Sequence, residues 1–281
     1  MVGQSVPAPV SCAAALIRVA VAILFGVAPT AGSLAARSEW SQADKAKMRL
    51  LMTAADDGSV IGGVEIVLEP GWYTYWRNPG EAGVPPVLDF AGSGNVAGIE
   101  VLYPAPERKD AGGAVSLIYN DEVVFPVAIT PANAGLPITL RLAASFGVCS
   151  EICIPTRASS EVTFSTADDS DPLSAERLRG FEERVPRKPE PGTFDIEGVA
   201  RDGEALNIDV RAPDTSYSDL FADAPAGWYI GQPVFVERVD GISRYRLSLA
   251  GRPRDSEVTG QEFRFVAVAG GRAIEETVRI P

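Results

Sequence analysis

The chain has 281 residues, 46% of them hydrophobic and 22% charged, enough for one large or two ordinary domains and too apolar for disorder. Lys and Arg number 25 against 37 Asp and Glu, a formal charge of −12, so neither nucleic acid nor an anionic membrane surface is an expected partner. Histidine is absent, which excludes Ser-His-Asp and Cys-His catalysis and every His-ligated metal site, and three cysteines are too few for a disulfide-rich scaffold.

An apolar stretch runs from Ala13 to Ala28, interrupted by Arg18, and Ser33-Leu34-Ala35-Ala36 follows with small residues suited to cleavage. Residues 1–36 therefore read as a secretory signal. A spanning helix needs about 20 apolar residues, and this run is shorter and carries a charge, so cleavage near Ala36 is expected rather than a retained anchor. Cys12 leaves with the signal. Cys149 and Cys153 remain, in an oxidising compartment where a disulfide persists.

Residues 37–167 show short strands. Val64, Ile66 and Leu68 alternate with Glu65, Val67 and Glu69, the period of a strand with one buried face. Val123 to Ile129, Ile138 to Leu142 and Val162 to Phe164 look similar. Turns are expected at Asn78-Pro79-Gly80, Val84-Pro85-Pro86 and Ala111-Gly112-Gly113. Residues 168–192 differ: Asp171 can cap a helix with Pro172 at its first position, and Leu173, Leu178, Phe181 and Val185 supply an apolar face. The run Val185-Pro186-Arg187-Lys188-Pro189-Glu190-Pro191-Gly192 then reads as a stiff linker and domain boundary. Residues 193–281 are again strand-rich, with hairpins expected about Asp240-Gly241 and Gly270-Gly271. The fold class is all-β: two β-domains, each a β-sandwich or barrel, joined by a short helix and a proline-rich linker.

Cys149 and Cys153 lie four residues apart, which in an extended strand is about 13 Å, so a bridge requires a bend at Ser150-Glu151-Ile152, as a hairpin tip or a helical turn. Closing so short a loop stabilises by only about 2 kcal/mol, against about 4.7 for a hundred-residue loop, which makes a poor staple. Structural staple and redox pair remain level on these grounds, with Cu(I) binding by two thiolates well behind. Glu151 disfavours a thiolate, whereas Arg141 or Arg157 would favour one if the fold brought it near. Trp72, Tyr73, Tyr75 and Trp76 are expected as core and partial cover rather than as a stacking platform. Glu65 and Glu69 are expected on a solvated face, and Asp168, Asp169 and Asp171 as helix-start acids rather than Ca²⁺ ligands.

The run Gly71 to Gly80, Tyr103-Pro104-Ala105-Pro106, Phe125-Pro126-Val127 and Cys149-Ser150-Glu151-Ile152-Cys153-Ile154-Pro155 resemble the N-terminal periplasmic domain of the disulfide reductase DsbD, particularly its relatives of the copper-sensitivity-suppressor (ScsB) type. The resemblance implies an immunoglobulin-like sandwich with the cysteines on a hairpin and a periplasmic location; from the residues themselves, no cofactor and no metal is expected. It implies thiol–disulfide exchange, with electrons coming from a thioredoxin-like or membrane-embedded donor and passing to oxidised periplasmic clients. By position, Cys149 and Cys153 become the catalytic pair, Cys153 forming the mixed disulfide and Cys149 closing the internal bridge. No electron-supplying domain lies within the chain, so either a separate protein is expected as reductant or the chain no longer relays electrons. The family can shield its cysteines with a loop bearing an aromatic residue; here Glu107 to Ala114 has none, which leaves Tyr119 or a charged cap to shield them. The reading from another class is a non-catalytic exported binding or assembly module with a structural disulfide.

Overall fold

The computed structural model describes residues 1–4, 36–55, 59–165, 171–213 and 218–281. Nearly all of the expected signal segment, and Asp168 and Asp169, lie outside them. No helix among the described residues is long and apolar enough to cross a membrane.

Before the helix the strands are β1 (Ser41–Ala43), β2 (Ala46–Ala54), β3 (Val60–Leu68), β4 (Tyr73–Gly80), β5 (Val87–Asp89), β6 (Val96–Val101), β7 (Glu107–Ala111), β8 (Ala114–Asn120), β9 (Glu122–Pro131), β10 (Ile138–Cys149) and β11 (Cys153–Phe164). They form two antiparallel sheets, ordered β1-β2-β3-β9-β6 and β11-β10-β4-β8-β7, with β5 also paired to β10. The inward positions of the two sheets, among them Met48, Leu50, Val64, Ile66, Trp76, Leu117, Phe125, Leu140 and Phe146, interdigitate in one core. This is an immunoglobulin-like sandwich, as the resemblance implied.

Two expectations in the strands change. Asn78-Pro79-Gly80 closes β4 instead of separating strands; the ladder to β8 is interrupted between Tyr75 and Gly80, so the missing N–H of Pro79 breaks no pairing there. Glu65 is buried rather than solvated, because the helix α1 (Pro172–Glu182) covers the outer face of β3. A side chain at Gly63 would collide with Leu178, so glycine there admits the helix. The buried carboxylate is held by Arg49 at 2.5 Å and by Arg177, which also reaches Glu122 at 2.5 Å. Glu69 is exposed and pairs with Lys45.

Asp171 caps α1 as expected, accepting from Leu173 N and from Ser174 Oγ and pairing with Arg37, so its oxygens are already engaged. Leu178 and Phe181 are buried, whereas Leu173 points outward and Ser174 takes the covered position. The proline-rich segment lies against a sheet edge: Arg187 N donates to Ala273 O (2.9 Å) and Glu275 N to Arg187 O (2.8 Å).

The remaining strands are β12 (Asp195–Asp202), β13 (Ala205–Arg211), β14 (Ser218–Asp223), β15 (Val234–Val239), β16 (Ile242–Ser248), β17 (Glu262–Ala269) and β18 (Arg272–Arg279). They pair as β12-β13-β16-β15 and β14-β17-β18 around a second core that includes Phe194, Leu206, Ile208, Tyr245, Phe263 and Phe265. Both expected hairpins form, with positive φ at Asp240, Gly241, Gly270 and Gly271, the requirement of a two-residue turn that matches strand twist.

In the sheet β14-β17-β18, strand β14 and the middle of β17 are buried on both sides. Leu220, Ala222, Phe263 and Phe265 face the second core, while Phe221 and Val266 belong to the first. Phe221 meets Trp76 at 6.3 Å between ring centroids. Two arginines of the first sandwich reinforce this seam. Arg77 bonds Asp223 (3.1 Å) and Glu275 (2.6 Å), and Arg108 bonds both oxygens of Asp219 (3.0 and 2.9 Å) and the carbonyls of Leu220 and Pro233.

Candidate functional site

Strands β10 and β11 form one long antiparallel hairpin whose register runs from Ile138↔Phe164 to Cys149↔Cys153. The bend expected at Ser150-Glu151-Ile152 is its tip, closed by Ser150 N donating to Ile152 O at 3.0 Å. Pairing at the last rung brings the two Cα atoms to 4.1 Å, and the sulfurs are joined.

The two cysteines have unlike surroundings. Strand β10 lies inside its sheet, where Cys149 also pairs with Tyr73 of β4, and Cys149 is fully buried. Strand β11 is the sheet edge, and Cys153 is exposed on it. One residue of the pair is exposed and the other is held in protein.

Tyr75 faces the pair. Its hydroxyl donates to Cys149 Sγ at 2.9 Å and lies 3.3 Å from Cys153 Sγ. The ring sits in a slot between Gly83 and Gly147: a Cβ at Gly83 would collide with it, and one at Gly147 would come within 3.1 Å. Gly83 has φ +139, where side-chain-bearing residues are strained. Thr74 Oγ1 donates to Gly147 O at 2.8 Å and ties β4 to the hairpin. Tyr73 packs edge-on against Tyr75 at 5.7 Å, and Lys109 Nζ of β7 lies 4.9 Å from the centre of the Tyr73 ring. Burial, reinforced by the neighbouring Tyr73, pushes the Tyr75 phenol well above its usual range. It therefore stays a protonated donor.

The charges weighed from sequence are elsewhere. Arg141 lies far down β10, held by Glu161 and Gly92 O at 2.6 Å each. Arg157 pairs in register with Ser145 and lines a cavity of about 730 Å³ with Gln42, Asp44, Val84 and Phe146. Tyr119 does not shield the sulfurs. It pairs with Thr74, so by the two-residue period it points to the opposite face from Tyr73 and Tyr75; its hydroxyl donates to Pro104 O at 2.7 Å in the first core. The stretch expected as a charged cap forms β7 and its turn into β8, with Lys109 as the charge near the tyrosines. Among the described residues no group of three or more Cys, Asp and Glu is gathered for a metal ion.

Sequence reasoning missed Tyr75. The available signal was the pair Tyr73 and Tyr75, two apart and so on one strand face; which face met the cysteines depends on β4 lying beside β10, 74 positions away.

Residues 39–165 match the family model for the N-terminal domain of the thiol:disulfide interchange protein DsbD, under half of the chain. The crystal structure of the N-terminal periplasmic domain of ScsB from Proteus mirabilis superposes with a TM-score of 0.71 at 22% identity, covering 87% of this chain and 98% of that one. That likeness extends through both sandwiches and shows the fold. No protein with a curated description matches.

Proposed function

We propose that this chain, whose first sandwich carries the match to the DsbD N-terminal domain, is a periplasmic thiol–disulfide exchange module working through Cys149 and Cys153. The observation that carries the reading is the asymmetry of the pair: Cys153 exposed, Cys149 buried under the Tyr75 hydroxyl. A thiolate of a thioredoxin-like donor attacks Cys153 Sγ, the reachable sulfur. The disulfide breaks and Cys149 leaves as a thiolate. Negative charge grows on Cys149 in that step, and the Tyr75 O–H is already aimed at it, so no group must move to stabilise it. The donor's second thiolate then attacks the donor sulfur of the mixed disulfide and releases Cys153. Two electrons have entered this chain and the donor is a disulfide.

Delivery to a client runs the same steps in reverse. Cys153 attacks the client disulfide, and Cys149 then attacks Cys153 Sγ, freeing the reduced client. Each species has a defined trapping experiment. The oxidised protein is incubated with a reduced thioredoxin-like protein lacking its resolving cysteine. Wild type and Cys149→Ser should form a mixed disulfide, the latter after activation of Cys153 with an aromatic disulfide. Cys153→Ser, treated in the same way, should not, because its remaining thiol is buried and takes up no activating disulfide. Equal trapping in all three contradicts the assignment.

A further inference from the structure

We infer that the second sandwich positions the sulfur site, through the clamp of Asp219 on Arg108. Strand β7 is the outermost strand of its sheet and pairs only with β8. Its side chains divide between two faces. Arg108 turns towards the second sandwich, where Asp219 binds it through two oxygens and the Leu220 and Pro233 carbonyls complete its bonding. Such a bidentate pair fixes orientation as well as distance. The next residue, Lys109, turns to the other face and lies over Tyr73. Tyr73 meets Tyr75 edge-on, and Tyr75 donates to Cys149. A continuous line of contacts thus runs from Asp219 to the sulfurs, and Asp219 itself is almost wholly buried. The second sandwich contains no cysteine, and this line gives it a part in the chemistry: it holds the edge strand that holds the tyrosine pair.

The inference rests on the proposed exchange site but is tested without a protein partner, so it can fail while exchange with thioredoxin-like proteins stands, and the reverse. Dithiothreitol is the probe. Its thiolate attacks Cys153, Cys149 leaves, and its second thiol closes the ring, so the rate reads how well Cys149 is stabilised. Asp219→Asn and Arg108→Gln release the clamp from either side and should slow reduction by about threefold or more. Asp219→Glu should recover most of the rate. Ile208→Val, a mild destabilisation of the second core away from the clamp, should leave it unchanged. In a Tyr75→Phe background the effect of Asp219→Asn should disappear, because both changes act on one hydroxyl. An unchanged or faster rate in both clamp variants, or full additivity with Tyr75→Phe, overturns the inference.

Discussion

Tyr75 Oη stands 2.9 Å from Cys149 Sγ across 74 positions of sequence, and the buried sulfur has its hydrogen-bond donor in place before any partner arrives. Removing only that hydroxyl is the cleanest perturbation of the site. Tyr75→Phe keeps the ring in its glycine slot and removes a hydrogen bond to a developing thiolate, a loss of about 1.5 kcal/mol. Reduction of the disulfide by dithiothreitol should slow about tenfold with little change in melting temperature.

The slot itself is open to test. Gly83→Ala places a methyl group against the Tyr75 ring and imposes a positive φ on alanine. The ring must move and carry its hydroxyl from the sulfur. This variant should reproduce the slowing of Tyr75→Phe while retaining the phenol, and should lose roughly 1–3 kcal/mol of stability in urea unfolding.

The unequal exposure of the cysteines predicts unequal reactivity once each is alone. In Cys149→Ser the remaining thiol lies on the exposed edge strand and should be alkylated rapidly by iodoacetamide. In Cys153→Ser the remaining thiol is fully buried and should react only after denaturation.

Away from the sulfurs, Glu65 tests how the helix is held. Glu65→Gln leaves Arg49 and Arg177 without their shared, buried carboxylate. Breaking one partner of such a pair should cost about 3 kcal/mol, measured by urea unfolding.

Helix capping gives a pH dependence. The bond from Ser174 first, then that from Leu173 N and the charge of Arg37, holds the Asp171 carboxyl below its usual value. A depressed carboxylate contributes stability above its unfolded pKa and loses it as pH falls through the folded one. Asp171→Ala should cost about 1 kcal/mol near neutrality, and this deficit against wild type should shrink on acidification below the ordinary carboxylate range.

The legible part of this protein was what short-range pattern controls. The hairpin turns at Asp240-Gly241 and Gly270-Gly271, the capped helix at Asp171 and the existence of strand β3 are each written within about ten residues. The burial of Glu65 was not, since it depends on α1 returning more than a hundred residues later to cover a face that the strand alone presents to water. The site divided in the same way. A cysteine pair four residues apart announces itself, and the need for a bend between its members follows from bond lengths. The tyrosine above it, the glycine slot and the Arg108 clamp are products of strand order, which no local spacing records.

The central claim is that Cys149 and Cys153 exchange electrons and do not merely fasten a hairpin. The most direct measurement is the reduction potential of the pair, obtained by equilibrating the protein with thiol buffers. The account predicts a value within the span of working exchange proteins, roughly −120 to −270 mV. A value below about −300 mV, with no reduction by thioredoxin-like proteins, would mark a structural bridge and favour a non-catalytic binding or assembly module.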